Sequence, residues 1–273
     1  MSRLALTLAC GDYDRTRAIR TGEVKPDGVE LNVITLAPEE MFYRMARFRE
    51  FDVSELSLST YTVLRGRGEP LVAIPVFPSF SFRHASVFVG THAGIKEPRE
   101  LVGKRMGVPK YHMTAAVWIR GMLEEEYGVA PKDMRWFEGG EGSKVKEVDV
   151  TLPPDVPHQW VPAGRNLGDM VAAGELDAYM GARRPAAYGE RVTRLFPDFR
   201  RVERAYFEKT GIFRSCTPWS SEKSWRVGIR GCRGASTMPS SRPSAWRTSA
   251  CSSRRPCRRA CPGSSRRPRK RAR

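Results

Sequence analysis

Short apolar runs closed by polar turns, with stretches of helical periodicity between them, recur from residue 4 to residue 180, and this alternation restricts the chain to an α/β architecture. Leu4, Leu6 and Leu8 alternate before the break at Gly11-Asp12, which predicts a strand over 4–10. Residues 31–36 alternate as a second strand. Pro38-Glu39-Glu40 then opens a helix that places Met41, Phe42, Met45 and Phe48 on one face. Residues 71–77 form a continuous apolar run of the kind found in buried strands, and 85–89 a further strand. A second block begins near Gly94, with a helical turn at 98–102 and a strand at 105–108. A helix over 115–127 follows, with Thr114 as its N-cap and Val117, Met122 and Leu123 as core contacts. Strands at 144–152, 158–161 and 176–180 and a helix at 166–173 complete it. Two such blocks predict a two-lobed α/β fold with a cleft between the lobes. Residues 1–90 form the first part of lobe 1, 91–190 form lobe 2, and 191–213 return toward lobe 1.

The net positive charge is confined to one end. The formal net charge is +17, but residues 1–213 carry 30 basic against 29 acidic side chains, whereas residues 214–273 carry 17 basic residues and a single acid, Glu222. Five of the six cysteines also lie after residue 213, leaving only Cys10 before it. The basicity therefore gives no reason to expect a nucleic-acid partner for the first 213 residues. No apolar run approaches membrane-spanning length, and the N-terminal apolar segment reads as a strand rather than a signal peptide, so a cytoplasmic location is expected. Nothing in the sequence fixes an oligomeric state.

Candidate site residues cluster in the polar turns. Gly11-Asp12-Tyr13-Asp14-Arg15 follows the first strand, at the carboxyl end where α/β folds present ligand contacts. Ser57 and Ser59 lie in a serine-rich run. Arg83-His84 sets a cation beside a proton carrier, in a ligand site or as a packed structural pair. Tyr111 and His112 precede the helix start at Thr114, whose free backbone N–H groups suit an anion, and Arg183 follows the 176–180 strand. The four histidines fit no zinc pattern, so no metal is expected. Gly139-Gly140-Glu141-Gly142-Ser143-Lys144 lacks phosphate-loop spacing, and no Gly-x-Ser-x-Gly elbow is present.

The segment Leu6–Arg17 resembles the opening of the 4,5-dihydroxyphthalate decarboxylase family. So do Phe42–Tyr61 (FYRMARFREFDVSELSLSTY), Ala73–His84 (AIPVFPSFSFRH), Gly103–Gly121 (GKRMGVPKYHMTAAVWIRG) and Arg194–Phe213 (RLFPDFRRVERAYFEKTGIF). The resemblance implies a type 2 periplasmic-binding-protein-like fold. It also implies either of two functions: loss of CO2 from a dihydroxylated phthalate to give protocatechuate, or binding of a small aromatic carboxylate without chemistry, as in solute-binding relatives of ABC transporters. The decarboxylation needs no cofactor. It needs cations for two adjacent carboxylates, a partner for the phenol and a proton donor. By residue chemistry, Arg15 and Arg83 are the expected anion anchors, His84 the acid, and Asp12 or Asp14 the phenol partner. Ser57, Ser59, Tyr111, Thr114 and Arg183 complete the expected substrate contacts.

After Phe213, family members continue Pro-Ile-Met-His-Thr-Val-Val-Ile, where this chain has Arg-Ser-Cys-Thr-Pro-Trp-Ser-Ser. TCA-TGC-ACA-CCG-TGG-TCA encodes Ser215 to Ser220, and regrouping it by one frame reads Met-His-Thr-Val-Val. Residues 214–273 are thus expected to be frameshifted and disordered. The C-terminal portion that normally returns to the first lobe would be missing, and the chain inactive or poorly folded.

Overall fold

The computed structural model describes residues 3–140, 147–213 and 215–222. These residues build two sheets within one compact unit. The first sheet begins as the alternation predicts. Strand β1 (Leu4–Cys10) pairs in parallel with β2 (Val29–Thr35) and with β3 (Val53–Glu55). Helix α2 (Pro38–Phe48) covers it, burying Met41 and Met45 against Leu56, Leu64 and Leu71. Phe48, expected on the same face, is exposed, because the helix ends there on Arg49 in the left-handed conformation. Between β1 and β2 runs the single turn α1 (Arg17–Arg20). After β3 the serine-rich run is helical, α3 (Leu58–Gly66), and leads into β4 (Leu71–Phe80).

The second sheet has the order β10-β5-β9-β6-β7-β8. Its strands are β5 (Val87–Gly90), β6 (Arg105–Val108), β7 (Arg135–Glu138), β8 (His158–Trp160), β9 (Ala178–Met180) and β10 (Val192–Arg194). Helix α4 (Thr114–Tyr127) packs Ile119, Met122 and Leu123 into its core beside Trp136, and α5 (Leu167–Ala172) covers the opposite face. Three expectations need correction here. Val117 is exposed. Thr114 is the first helical residue rather than the N-cap, a place taken by Met113. Residues 147–152 form no strand: Val148 joins the first core beside Met41 and Met45 while Leu152 packs on the second, so the segment straps the two together. Residues 141–146 of that expectation lie outside the described residues.

The largest correction is at the end. Helix α6 (Phe199–Thr210) leads into β11 (Ser215–Glu222), which inserts between β3 and β4, antiparallel to both, in the sheet order β2-β1-β3-β11-β4. The expected disorder is therefore wrong for residues 215–222, and the return to the first sheet is present. The physical reason is the gap it fills: β3 and β4 each offer an inner edge of unpaired backbone groups, and β11 satisfies both. Trp219 packs with Leu8 and Cys10, and Ser220 is fully buried. The disorder expected for 223–273 lies outside the described residues.

Candidate functional site

Strands β1, β3 and β4 run in one direction, so the turns after them share one edge of the first sheet, facing the turn after β6 in the second. Between them lies a cavity of about 490 Å³, within the usual range for a small-molecule site. Of the expected substrate contacts, Ser57, Arg83, Thr114 and Arg183 line it. Ser57 and Thr114 stand at the starts of α3 and α4 and share a hydrogen bond of 2.8 Å, so two helix N-termini converge on the same wall. Ser59 joins this cluster through its backbone N–H, which donates to Thr114 Oγ1 at 3.1 Å. Its hydroxyl also joins the cluster, 3.1 Å from Ser57 Oγ and 3.2 Å from Thr114 Oγ1, although the residue lines a separate apolar groove on α3 and α4 rather than the cavity.

Other expected residues lie elsewhere. His84 is only 2% exposed and packs edge-on against the Phe196 and Tyr206 rings, each 5.3 Å away, outside the cavity lining. It belongs to the packing of the second sheet, because the turn that presents Arg83 points its neighbour inward. Asp12 pairs with Arg20 at 2.5 Å and Asp14 with Arg15 at 3.2 Å, both on the outer surface. Arg15 lies over the Tyr13 ring, 4.2 Å from its centroid, and its Nε donates to the Pro78 carbonyl, fastening the first turn to β4 from outside the lining. Tyr111 is buried against Trp136 with the Arg120 guanidinium 3.6 Å from its centroid, a core contact.

The polar centre of the cavity was missed in the sequence. Glu55, at the end of β3, is fully buried and accepts three hydrogen bonds. They come from Gly11 N (3.2 Å), Tyr13 Oη (3.0 Å) and Thr217 Oγ1 of β11 (2.6 Å). Gly11 is required there, since a Cβ would sit 2.6 Å from the Tyr13 ring. Burial first, then the Glu55 charge, push the Tyr13 phenol well above its ordinary value, so it stays protonated and donates. Opposite, Lys110 follows β6 and its Nζ donates to Glu147 Oε1 at 2.8 Å, while Thr60 Oγ1 donates to Glu147 Oε2 at 2.6 Å. Lysine and glutamate are each nearly buried, a pair whose desolvation is offset only by these contacts. Tyr179, its phenol pushed up to about 12 by burial, closes the floor. At the mouth Arg183 meets Glu39 of α2 at 2.9 Å, both partners largely solvated. The cavity thus offers three cations, two buried carboxylates and protonated phenols around an apolar body that includes Phe42, Met113 and Pro109.

A 4,5-dihydroxyphthalate decarboxylase of Pseudomonas putida is 38% identical over 250 residues, covering 89% of this chain and 97% of that protein. The chain belongs to the 4,5-dihydroxyphthalate decarboxylase family. The enzyme of that name from Comamonas testosteroni is 41% identical over 219 residues, 78% of this chain, which spans 66% of that relative's length. Residues 1–213 are too few to make up 89% of the chain, so the Pseudomonas match runs past Phe213. No family model matches. Among solved structures, the aliphatic sulphonate binding protein SsuA of Escherichia coli is similar at a TM-score of 0.49 and 11% identity, over 83% of this chain and 67% of that one. The alkanesulfonate-binding protein SsuA of Xanthomonas axonopodis follows at 0.46 and 10% identity, over 83% and 68%.

Proposed function

We propose that this member of the decarboxylase family removes CO2 from 4,5-dihydroxyphthalate in the cavity between the two sheets, giving protocatechuate. The observation that carries the reading is the pairing of family membership with a cavity lined by Arg83 and Lys110 beside Tyr13 and the buried Glu55, with Arg183 at its solvated mouth. Arg83 and Arg183 anchor the two adjacent carboxylates, helped by the helix starts at Ser57 and Thr114. Glu55, steadied by the Tyr13, Thr217 and Gly11 donors, faces the phenol para to the departing group and takes its proton. The resulting phenolate pushes electron density into the ring, and the Lys110 ammonium protonates the carbon that bears the carboxylate. The bond to that carboxylate then breaks, CO2 leaves, its bonding pair restores the aromatic ring, and Glu55 returns the phenol proton. One proton is consumed per CO2.

The test is product analysis with 4,5-dihydroxyphthalate and with phthalate, which lacks the hydroxyls. Equal amounts of protocatechuate and CO2 from the first and none from the second are expected, with KM raised about tenfold or more in Arg83→Gln. Saturable binding of both ligands without CO2 would instead make the chain a solute-binding module. We also propose a cytoplasmic location and a displaced reading frame after Phe213, but not the inactivity expected from it, since residues 215–222 complete the first sheet and Thr217 donates to Glu55. Supporting the frame shift, β11 buries Ser220, carries Pro218 within an interior strand and leaves Trp219 Nε1 without a hydrogen-bond partner among the described residues. The Pseudomonas match past Phe213 counts against it. An unbroken frame on resequencing those codons would remove it.

A further inference from the structure

A second cavity, about 260 Å³, lies behind Lys110, which lines both it and the substrate cavity. Its polar wall is His112, Glu138 and His158. His158 Nε2 and Glu138 Oε2 are 2.9 Å apart on the neighbouring strands β7 and β8. The His158 ring lies 5.0 Å from that of Trp160, which is 56% exposed, while the side chains of His158 and Glu138 themselves keep 14% and 8% exposure. His112 Nε2 is buried and has no hydrogen-bond partner among the described residues, an uncommon condition for a ring nitrogen unless water reaches it. The cavity has room for ordered water, since each molecule takes about 30 Å³. The charges facing His112 are Glu147, Glu138, Lys110 and Arg120, and burial holds its imidazole below its ordinary value, so it rests neutral.

Decarboxylation leaves Lys110 one proton short after each turnover, while product still fills the cavity on its other side. We propose that the rear cavity is a proton-return path: solvent protonates the His158–Glu138 pair, the proton passes through water to His112, and His112 hands it to the Lys110 amine. In that last step an N–H bond breaks at His112 and one forms at Lys110, and the net uptake is one solvent proton per CO2. His112 acts here through Lys110 and touches no substrate. This inference rests on the decarboxylase reading above.

The test uses the full chain and 4,5-dihydroxyphthalate. His112→Ala is expected to lower kcat about tenfold while KM and the Kd for phthalate stay within about twofold. Added imidazole, small enough for the vacated space, should restore most of the rate. His158→Gln should show the same loss confined to kcat, and it carries the test if His112→Ala also loses phthalate binding. Unchanged kcat in the tested variant, or a loss in His112→Ala that imidazole does not relieve while phthalate still binds, would overturn the relay. Turnover by the wild type with an unaffected His112→Ala refutes the relay alone. A wild type that binds phthalate and releases no CO2 refutes both readings.

Discussion

Glu55 concentrates the residue-scale account, because three donors from two separate segments, the turn after β1 and strand β11, converge on one fully buried side chain. Glu55→Gln keeps the shape but loses the proton acceptor, and kcat is expected to fall about a hundredfold with the fold intact by circular dichroism; a loss under threefold would refute its role. A second test concerns stability. Asp177 accepts from Arg105 N, Nε and Nη2 at 2.7–3.0 Å, and these bonds hold its carboxyl below the ordinary 3.8. A depressed folded-state value means the stabilisation is full above about pH 4 and fades as pH falls through the folded value. Asp177→Asn should therefore cost about 2 kcal/mol in urea unfolding at pH 7 and progressively less below pH 4. A pH-independent difference would contradict this. Residue chemistry made Arg83, Arg183, Ser57 and Thr114 legible in the sequence, since polar groups in turns after strands announce themselves. It failed for Glu55, Lys110 and Glu147. Nothing in a linear pattern says that a carboxylate ending a three-residue strand is buried, or that residues 110 and 147 meet. His84 misled for the converse reason: adjacency to Arg83 says nothing of which way the next side chain turns.

At the scale of elements, strong periodicity was readable and weak periodicity was not. The alternation of β1 and the amphipathic face of α2 gave both elements nearly to the residue. Helix α6 escaped although its apolar residues share one face, because six of its twelve residues are charged, and β3 because three residues carry no period. Strand β11 escaped because Ser-Cys-Thr-Pro-Trp-Ser-Ser has no apolar alternation. It is held by its two neighbours, and its register shifts on either side of Thr217. Pro218 gives no backbone N–H to the ladder, though its carbonyl accepts from Leu56 N at 3.0 Å. Pro218→Val should therefore raise stability by about 1 kcal/mol, read as a higher urea midpoint at unchanged slope. A lower midpoint would show that the register shifts depend on the proline.

For the whole molecule, the two sheets are tied across the cavity by Ser57 to Thr114, Thr60 to Glu147 and Glu39 to Arg183, so the residues proposed for chemistry also hold the walls together. The two-sheet α/β architecture was legible from the alternation alone. The way β11 completes the first sheet was hidden, since a strand held by long-range pairing leaves little local trace. The claim that joins site to fold is that Lys110, poised between two cavities, protonates the ring. The most direct measurement is CO2 release from 4,5-dihydroxyphthalate by wild type and by Lys110→Met, with phthalate binding followed in parallel. The account predicts steady CO2 release by wild type, at least about a hundredfold less by Lys110→Met, and phthalate bound by both. CO2 release by Lys110→Met at near wild-type rate would contradict it.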